Sequence, residues 1–322
     1  MCLTRKLRFA LEALLTRLGL ALLPVLPRPA VLACARVAAA FAYYAAPQQR
    51  RITLANLEIA FGQDLSPRAR RRIAREAFYT MALVILDLFW FSRRLEQRVR
   101  RYVTLDESVR LHVTAQPLIG VTAHFGNWEL MSRALSLHGY THVAAAMPLA
   151  NPAVDAILGA GRSIPGVEIV GRQGAIRALL EALRQGKRVA LLLDQNTKPD
   201  EGGLFVNFFG LPIPVSTAAA VLAERTGAPI VPVFCRANAD GTYTIYSRPP
   251  LKPGSAGQTR SAIIGGLTQA IAALFEQEIR AQPGQWLWMY KRWKYIDPAR
   301  PPENYPFYAK PLRLERNPIR RR

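Results

Sequence analysis

From Pro117 onward, short apolar runs alternate with helical patterns, and that alternation restricts the fold more than anything else in the chain. Pro117-Leu-Ile-Gly-Val-Thr-Ala123 has the length and character of a buried strand. His-Phe-Gly-Asn then makes a tight turn, and a helical pattern runs from Trp128 to His138. The alternation recurs as strand 143–147, helix 152–161, strand 167–170, helix 175–184 and strand 189–193, which ends at Asp194. Repetition of this kind predicts an α/β fold with a central mixed, mostly parallel sheet flanked by helices. A helix over 216–226, a strand over 229–235, an alternating edge strand over 242–247 and a long helix over 268–281 complete it.

Half of the 322 residues are apolar, so the chain can bury a large core, and a disordered polyelectrolyte is excluded despite a formal charge of +21. A cationic surface suits an anionic membrane face, an acidic protein partner or nucleic acid. The sequence carries no helix-turn-helix, no RNP-type aromatic strand and no paired zinc ligands, which argues against nucleic acid. Cys2, Cys34 and Cys235 are few, odd in number and far apart, so no disulfide framework is expected.

Residues 1–49 read as an N-terminal helical membrane anchor. Leu7 to Leu26 has the length of a span, about 20 residues, but carries Arg8, Glu12 and Arg17. Pro24, Pro27 and Pro29 oppose one straight crossing, so an amphipathic or re-entrant anchor is expected, with a buried helix pair as the alternative. Residues 50–115 form a helical lead-in, in which an arginine-rich stretch (Arg68, Arg70, Arg71, Arg72, Arg75) precedes an apolar run over 77–91. The α/β domain is expected over 116–296 and a basic tail over 297–322. The aromatic and basic segment Gln285 to Lys294 fits a membrane interface or the core equally well.

Of the four histidines, His112, His138 and His142 fall in ordinary helical or loop patterns. His124 ends a buried strand, the place where ligands gather in an open α/β sheet. Glu129 lies five positions on, in the first turn of the next helix, so its carboxylate can face the imidazole as the orienter of a general base. Gly126 lets the backbone approach closely, and N–H groups at the helix start are placed to hold an oxyanion. There is no His-Glu-x-x-His, no other His or Cys pair at metal-ligand spacing, no Gly-x-Ser-x-Gly elbow and no glycine-rich phosphate loop. The nucleophile is therefore expected to be a hydroxyl of the substrate, with no metal and no tightly bound organic cofactor.

His124-Phe-Gly-Asn-Trp-Glu129 resembles the His-x4-Asp/Glu block of the glycerolipid acyltransferase superfamily, in the form carried by the bacterial lipid A biosynthesis acyltransferases. Gly166-Val-Glu-Ile-Val-Gly-Arg172 is similar to the second block, Leu192-Leu-Asp194-Gln195-Asn196 sits where the third lies, and Pro229-Ile-Val-Pro-Val233 resembles the fourth. Arg51 to Leu57, Phe205 to Gly210 and Gln285 to Lys294 look like segments particular to the lipid A branch, and the likeness covers roughly residues 40–310.

That resemblance implies a glycerol-3-phosphate acyltransferase-like fold. It also implies transfer of a fatty acyl chain from an acyl carrier protein thioester to a hydroxyl of a lipid A precursor, a late acylation of the Kdo2-lipid IVA type. The implied location is the cytoplasmic face of the bacterial inner membrane, and the implied partners are the acidic acyl carrier protein, the glycolipid acceptor and the anionic membrane surface. His124 and Glu129 become the catalytic pair, and Gly126, Asn127, Arg172, Asp194 and Gln195 the substrate-binding residues, with Arg172 toward an acceptor phosphate. Met147-Pro148 departs from the Arg or Lys that relatives carry before this proline, which bears on the identity of the acceptor. The alternatives are acylation of a lysophospholipid or a glycosylated inositol lipid, and a non-catalytic basic membrane-binding protein.

Overall fold

The computed structural model describes residues 3–146, 151–156, 165–171, 174–254 and 257–312. Its strands are β1 (Val103–Leu105), β2 (Leu118–Thr122), β3 (His142–Ala146), β4 (Val167–Gly171), β5 (Arg188–Leu192), β6 (Gly203–Phe208), β7 (Leu211–Ser216), β8 (Ile230–Ala237), β9 (Tyr243–Ser247), β10 (Tyr295–Ile296) and β11 (Lys310–Pro311). Seven of them form one sheet in the order β1-β9-β8-β2-β5-β3-β4. Every neighbouring pair in it is parallel except β8 and β9. The mixed, mostly parallel sheet with flanking helices is the architecture that the alternation predicts.

Side chains of the central strands divide between two cores because successive residues of a strand point to opposite faces. Ile119 and Val121 of β2 and Ile230 and Phe234 of β8 join the core that the helices Ala175–Arg184, Ala218–Thr226 and Arg260–Ala281 cover. Leu118, Val231, Val233 and Cys235 join the opposite core.

Three departures from the sequence expectation have physical causes. The strand expected at the edge, β9, lies inside the sheet, because β1 pairs beyond it. β1 is three residues long, too short for its alternation to stand out in a region otherwise helical. β6 and β7 form a hairpin closed by Phe209 and Gly210, both at positive φ (51° and 78°), as a tight two-residue turn requires. A Phe-Gly pair lacks the Asn or Asp that normally announces such a turn. Of the helix expected over 152–161, residues 152–156 are helical and the rest lies outside the described residues.

The N-terminal third is built from α1 (Leu3–Leu22), α2 (Arg28–Ala45), α3 (Pro47–Phe61), α4 (Pro67–Trp90), α5 (Leu95–Tyr102) and α6 (Glu107–Val113). Ser66 and Pro67 start α4: the serine hydroxyl accepts from Ala69 N–H at 3.2 Å, and the proline sits where a missing N–H costs nothing. The segment 1–49, expected to be a membrane anchor, packs in part against the rest of the fold. α2 buries Val31, Leu32, Ala35, Ala39 and Tyr43 in the fold, and the link before it is pinned by Trp90 Nε1 donating to Leu26 O at 2.9 Å. Among the described residues no single helix is long and apolar enough to cross a membrane; α2 and α3 meet that test together, but they are bent by 92°. α1 nevertheless turns Leu7, Leu11, Leu14, Leu15, Leu18 and Leu22 outward as one exposed stripe.

Candidate active site

β2 and β5 run in parallel at a constant register, from Leu118 opposite Arg188 to Thr122 opposite Leu192. Leu193 N–H continues the ladder to Thr122 O at 3.0 Å, and two residues past the paired segment the same register brings His124 to Asp194. His124 Nδ1 lies 2.6 Å from Asp194 Oδ1, while the His124 backbone N–H and the Trp286 indole N–H donate to Oδ2 at 2.9 and 2.8 Å. Burial by itself would raise the Asp194 carboxyl, yet His124, Arg292 and Trp286 together hold it below the usual carboxylate range. An ionised carboxylate can only accept, so the shared proton belongs to Nδ1 and the neutral ring presents an unprotonated Nε2. Exposed Gln195 stands on that side, its Nε2 3.5 Å from the ring nitrogen, the outer limit of a hydrogen bond.

Burial pulls the imidazole toward its neutral form. The Asp194 carboxylate overcomes that pull, with a smaller push from Glu129 and opposition from Arg292, and leaves His124 above its ordinary value. Trp128 closes one side of the ring edge-on, with centroids 4.9 Å apart. The orienting hydrogen bond expected from Glu129 is thus made by Asp194. Glu129, at the start of α7 (Trp128–Leu137), adds to the negative field. Asp194, expected at the substrate, is buried behind the imidazole instead.

Gly126 and Asn127, also expected as substrate contacts, face the protein. Gly126 has φ +56°, its N–H donates to Gln285 O at 2.8 Å, and a Cβ there would lie 1.8 Å from Cys235 O. The close approach that selects glycine is therefore made to β8, not to a ligand. Asn127 is buried and caps α7 by accepting from Leu130 N–H at 3.0 Å. Its own N–H donates to Cys235 O at 2.9 Å. Gln195 is the expected binding residue that stands exposed beside the base, and Arg172 and Met147 lie outside the described residues.

Sequence reasoning left Trp286 undecided and passed over Asp87 and Gln285. Trp286, Trp288 and Trp293 are buried in the core, so the interfacial reading of this segment gives way to packing. Gln285 clamps the turn from behind: its carbonyl takes the Gly126 N–H, and its amide pairs with both backbone groups of Ala237 at 2.8 and 2.9 Å. The other histidines are in local structural bonds, His112 with Ser247, His138 with Ala134 O, and His142 with Ser132 and Tyr140 O. Among the described residues no group of three or more His, Cys, Asp or Glu is placed to hold a metal ion.

The model of the bacterial lipid A biosynthesis acyltransferase family matches residues 3–295. The chain belongs to that family. Its relatives include the lipid A biosynthesis palmitoleoyltransferase of Escherichia coli K12, 27% identical over 255 residues covering 76% of this chain and 79% of that protein. The lauroyltransferase of the same organism is 24% identical over 255 residues, covering 77% and 79%. A phosphatidylinositol mannoside acyltransferase of Mycobacterium tuberculosis is 28% identical over 175 residues, covering 53% and 52%. This lipid A acyltransferase family member is therefore an acyltransferase, and the His124 turn is its candidate active site.

Proposed function

We propose that the protein transfers a fatty acyl chain from an acyl carrier protein thioester to a hydroxyl of a lipid A precursor, as a late acylation at the cytoplasmic face of the bacterial inner membrane. The observation that carries this reading is the 2.6 Å contact of His124 Nδ1 with Asp194 Oδ1 at the carboxyl end of a parallel strand, which turns Nε2 toward the exposed Gln195. The acceptor hydroxyl gives its proton to Nε2 as its oxygen attacks the thioester carbonyl, and the imidazolium so formed faces the Asp194 carboxylate and the field of Glu129. The oxyanion of the tetrahedral intermediate is met by the helix start. There the N–H groups of Gly126, Asn127 and Leu130 bond within the protein, and the donor assigned to the oxyanion is the N–H of Trp128, the first residue of α7. Collapse expels the carrier thiolate, which recovers the proton from Nε2 and leaves as the thiol.

Two surface features support the membrane location and the donor. α1, which carries the outward leucine stripe, is tied to the α/β part of the chain by Asn151, which donates to Phe9 O and to Glu12 at 3.0 and 2.9 Å. A stripe of this kind seats in the interfacial layer of a bilayer. The charge of +21 draws in an acidic carrier protein and an anionic leaflet alike.

The deciding assay supplies a carrier-protein thioester and a lipid A precursor to the parent protein and to His124→Ala. The parent should acylate the precursor, and the variant should lose about 10²–10⁴-fold in turnover while still sedimenting with vesicles. Near-normal turnover by His124→Ala would remove the mechanism. The mycobacterial match favours a second reading, a glycosylated inositol lipid as acceptor, and the same assay with that lipid separates the two.

A further inference from the structure

Behind the His124 turn, four polar side chains from four separate elements converge in the apolar interior. Asp87 of α4, Arg28 at the start of α2, Tyr243 of β9 and Asn127 of the turn are all buried. Asp87 is their common acceptor. Arg28 Nη1 donates to its Oδ1 and Nη2 to Oδ2 at 3.3 Å, the Tyr243 hydroxyl donates to Oδ2, and Asn127 Nδ2 donates to the same oxygen at 3.2 Å. Arg28 is itself held at Gly241 O through Nε and Nη2, at 3.0 and 2.9 Å, and its guanidinium lies 4.9 Å from the Trp90 ring centroid.

A buried ion pair is a poor way to gain stability, since apolar side chains of the same volume often serve as well or better. What a shared acceptor provides is direction. Asn127 spends its carbonyl oxygen on the cap of α7 and its amide on Asp87, so its side chain has one orientation that satisfies both. Three residues before it, His124 leaves the end of β2. The turn between them is fixed on one side by Asp194 and Trp286 and on the other by this cap.

We propose that Asp87 is a positioning residue for acyl transfer. Through Asn127 it sets the α7 cap and hence the aim of His124 Nε2, and through Arg28 it ties that aim to the seating of the N-terminal helices. Asp87 touches no substrate. The proposal rests on His124 being the base, which the His124→Ala assay tests separately.

The test uses the full chain with Asp87→Asn, Asn127→Asp, the double exchange and Asn127→Ser, reading melting temperature, kcat, KM and the pH profile. Asn127→Asp sets two carboxylates against each other. The double exchange restores one donor facing one acceptor with its direction reversed and the net charge kept. Each single exchange should lower kcat about ten- to a hundredfold with little change in KM, the loss expected when a catalytic group is misplaced by a fraction of an ångström to an ångström. The double exchange should recover about tenfold over Asn127→Asp, the coupling that a shared contact produces. Asn127→Ser keeps a capping oxygen but has no amide donor, so it reads the link even if the Asp87 variant does not fold. It should melt near the parent and still lose kcat. The proposal is overturned by folded single variants with parental kcat, by a folded double exchange with no recovery, or by Asn127→Ser at full activity. If His124→Ala retains turnover, the reading of the base fails instead.

Discussion

His124 and Asp194 are seventy residues apart in the chain and 2.6 Å apart in space, Nδ1 to Oδ1, because the parallel register of β2 and β5 carries that offset past the last paired residues. The orienting acid of this site is thus a property of the sheet. An acid on the following helix would move with the turn, whereas Asp194 is anchored by a strand of its own and by the Trp286 indole. The imidazole is held by the central sheet, the kind of support that a proton-transfer group needs.

Asp194→Asn should therefore alter both rate and pH dependence. A base works when neutral, and His124 sits above the ordinary value of about 6.5, so kcat/KM should rise through a pKa above that value as pH increases. Removing the carboxylate removes the largest push upward, and the acid limb should move to lower pH while the maximal rate falls about 10²-fold or more. An unmoved limb would mean that Asp194 does not control the ring.

Glu129→Gln removes a smaller push on the same ring. Its acid limb should move in the same direction by less than in Asp194→Asn, with kcat lowered because the developing imidazolium loses part of its field. A larger displacement than that of Asp194→Asn would reverse the order of the two acids.

Gly126→Ala tests the close approach to β8. The new methyl group would meet Cys235 O at a distance no real contact allows, at a φ that disfavours any side chain, so the turn must shift. Denaturant unfolding should report a loss of about 2–4 kcal/mol, with acyl transfer lost as well. Parental stability would mean that the turn relaxes freely.

Leu11→Asp with Leu18→Asp interrupts the outward stripe of α1 without touching the site. Sedimentation with anionic vesicles should drop about tenfold or more, while turnover on detergent-dispersed substrates stays near the parent. Undiminished vesicle binding would place the membrane contact elsewhere.

Much of this was legible in the sequence where the signal is local. The runs over 118–122, 167–171 and 188–192 declare their strands, and His124 declares itself by ending one. Asp194 was legible as an acid at a strand end, but its partner was not, because neighbourhood in a sheet follows strand order and β5 lies beside β2 with β3 and β4 beyond it. Gly126 and Asn127 looked like ligand contacts because a glycine and an amide at a strand-to-helix turn serve that purpose and tight packing equally well. What decides between them is Cys235 O and Asp87, contributed by β8 and α4, whose proximity no spacing encodes. The tryptophans of the late segment carried the same ambiguity, resolved by the core they fill.

Gln285 and Trp286, which brace the turn and its acid, are reached by the ribosome only after every strand of the large sheet has been made. A nascent chain thus holds its imidazole before it holds the brace. Both supports of the turn, the Gln285 carbonyl under Gly126 and the Trp286 indole on Asp194, therefore enter together and last, and a chain cut short before them would have neither.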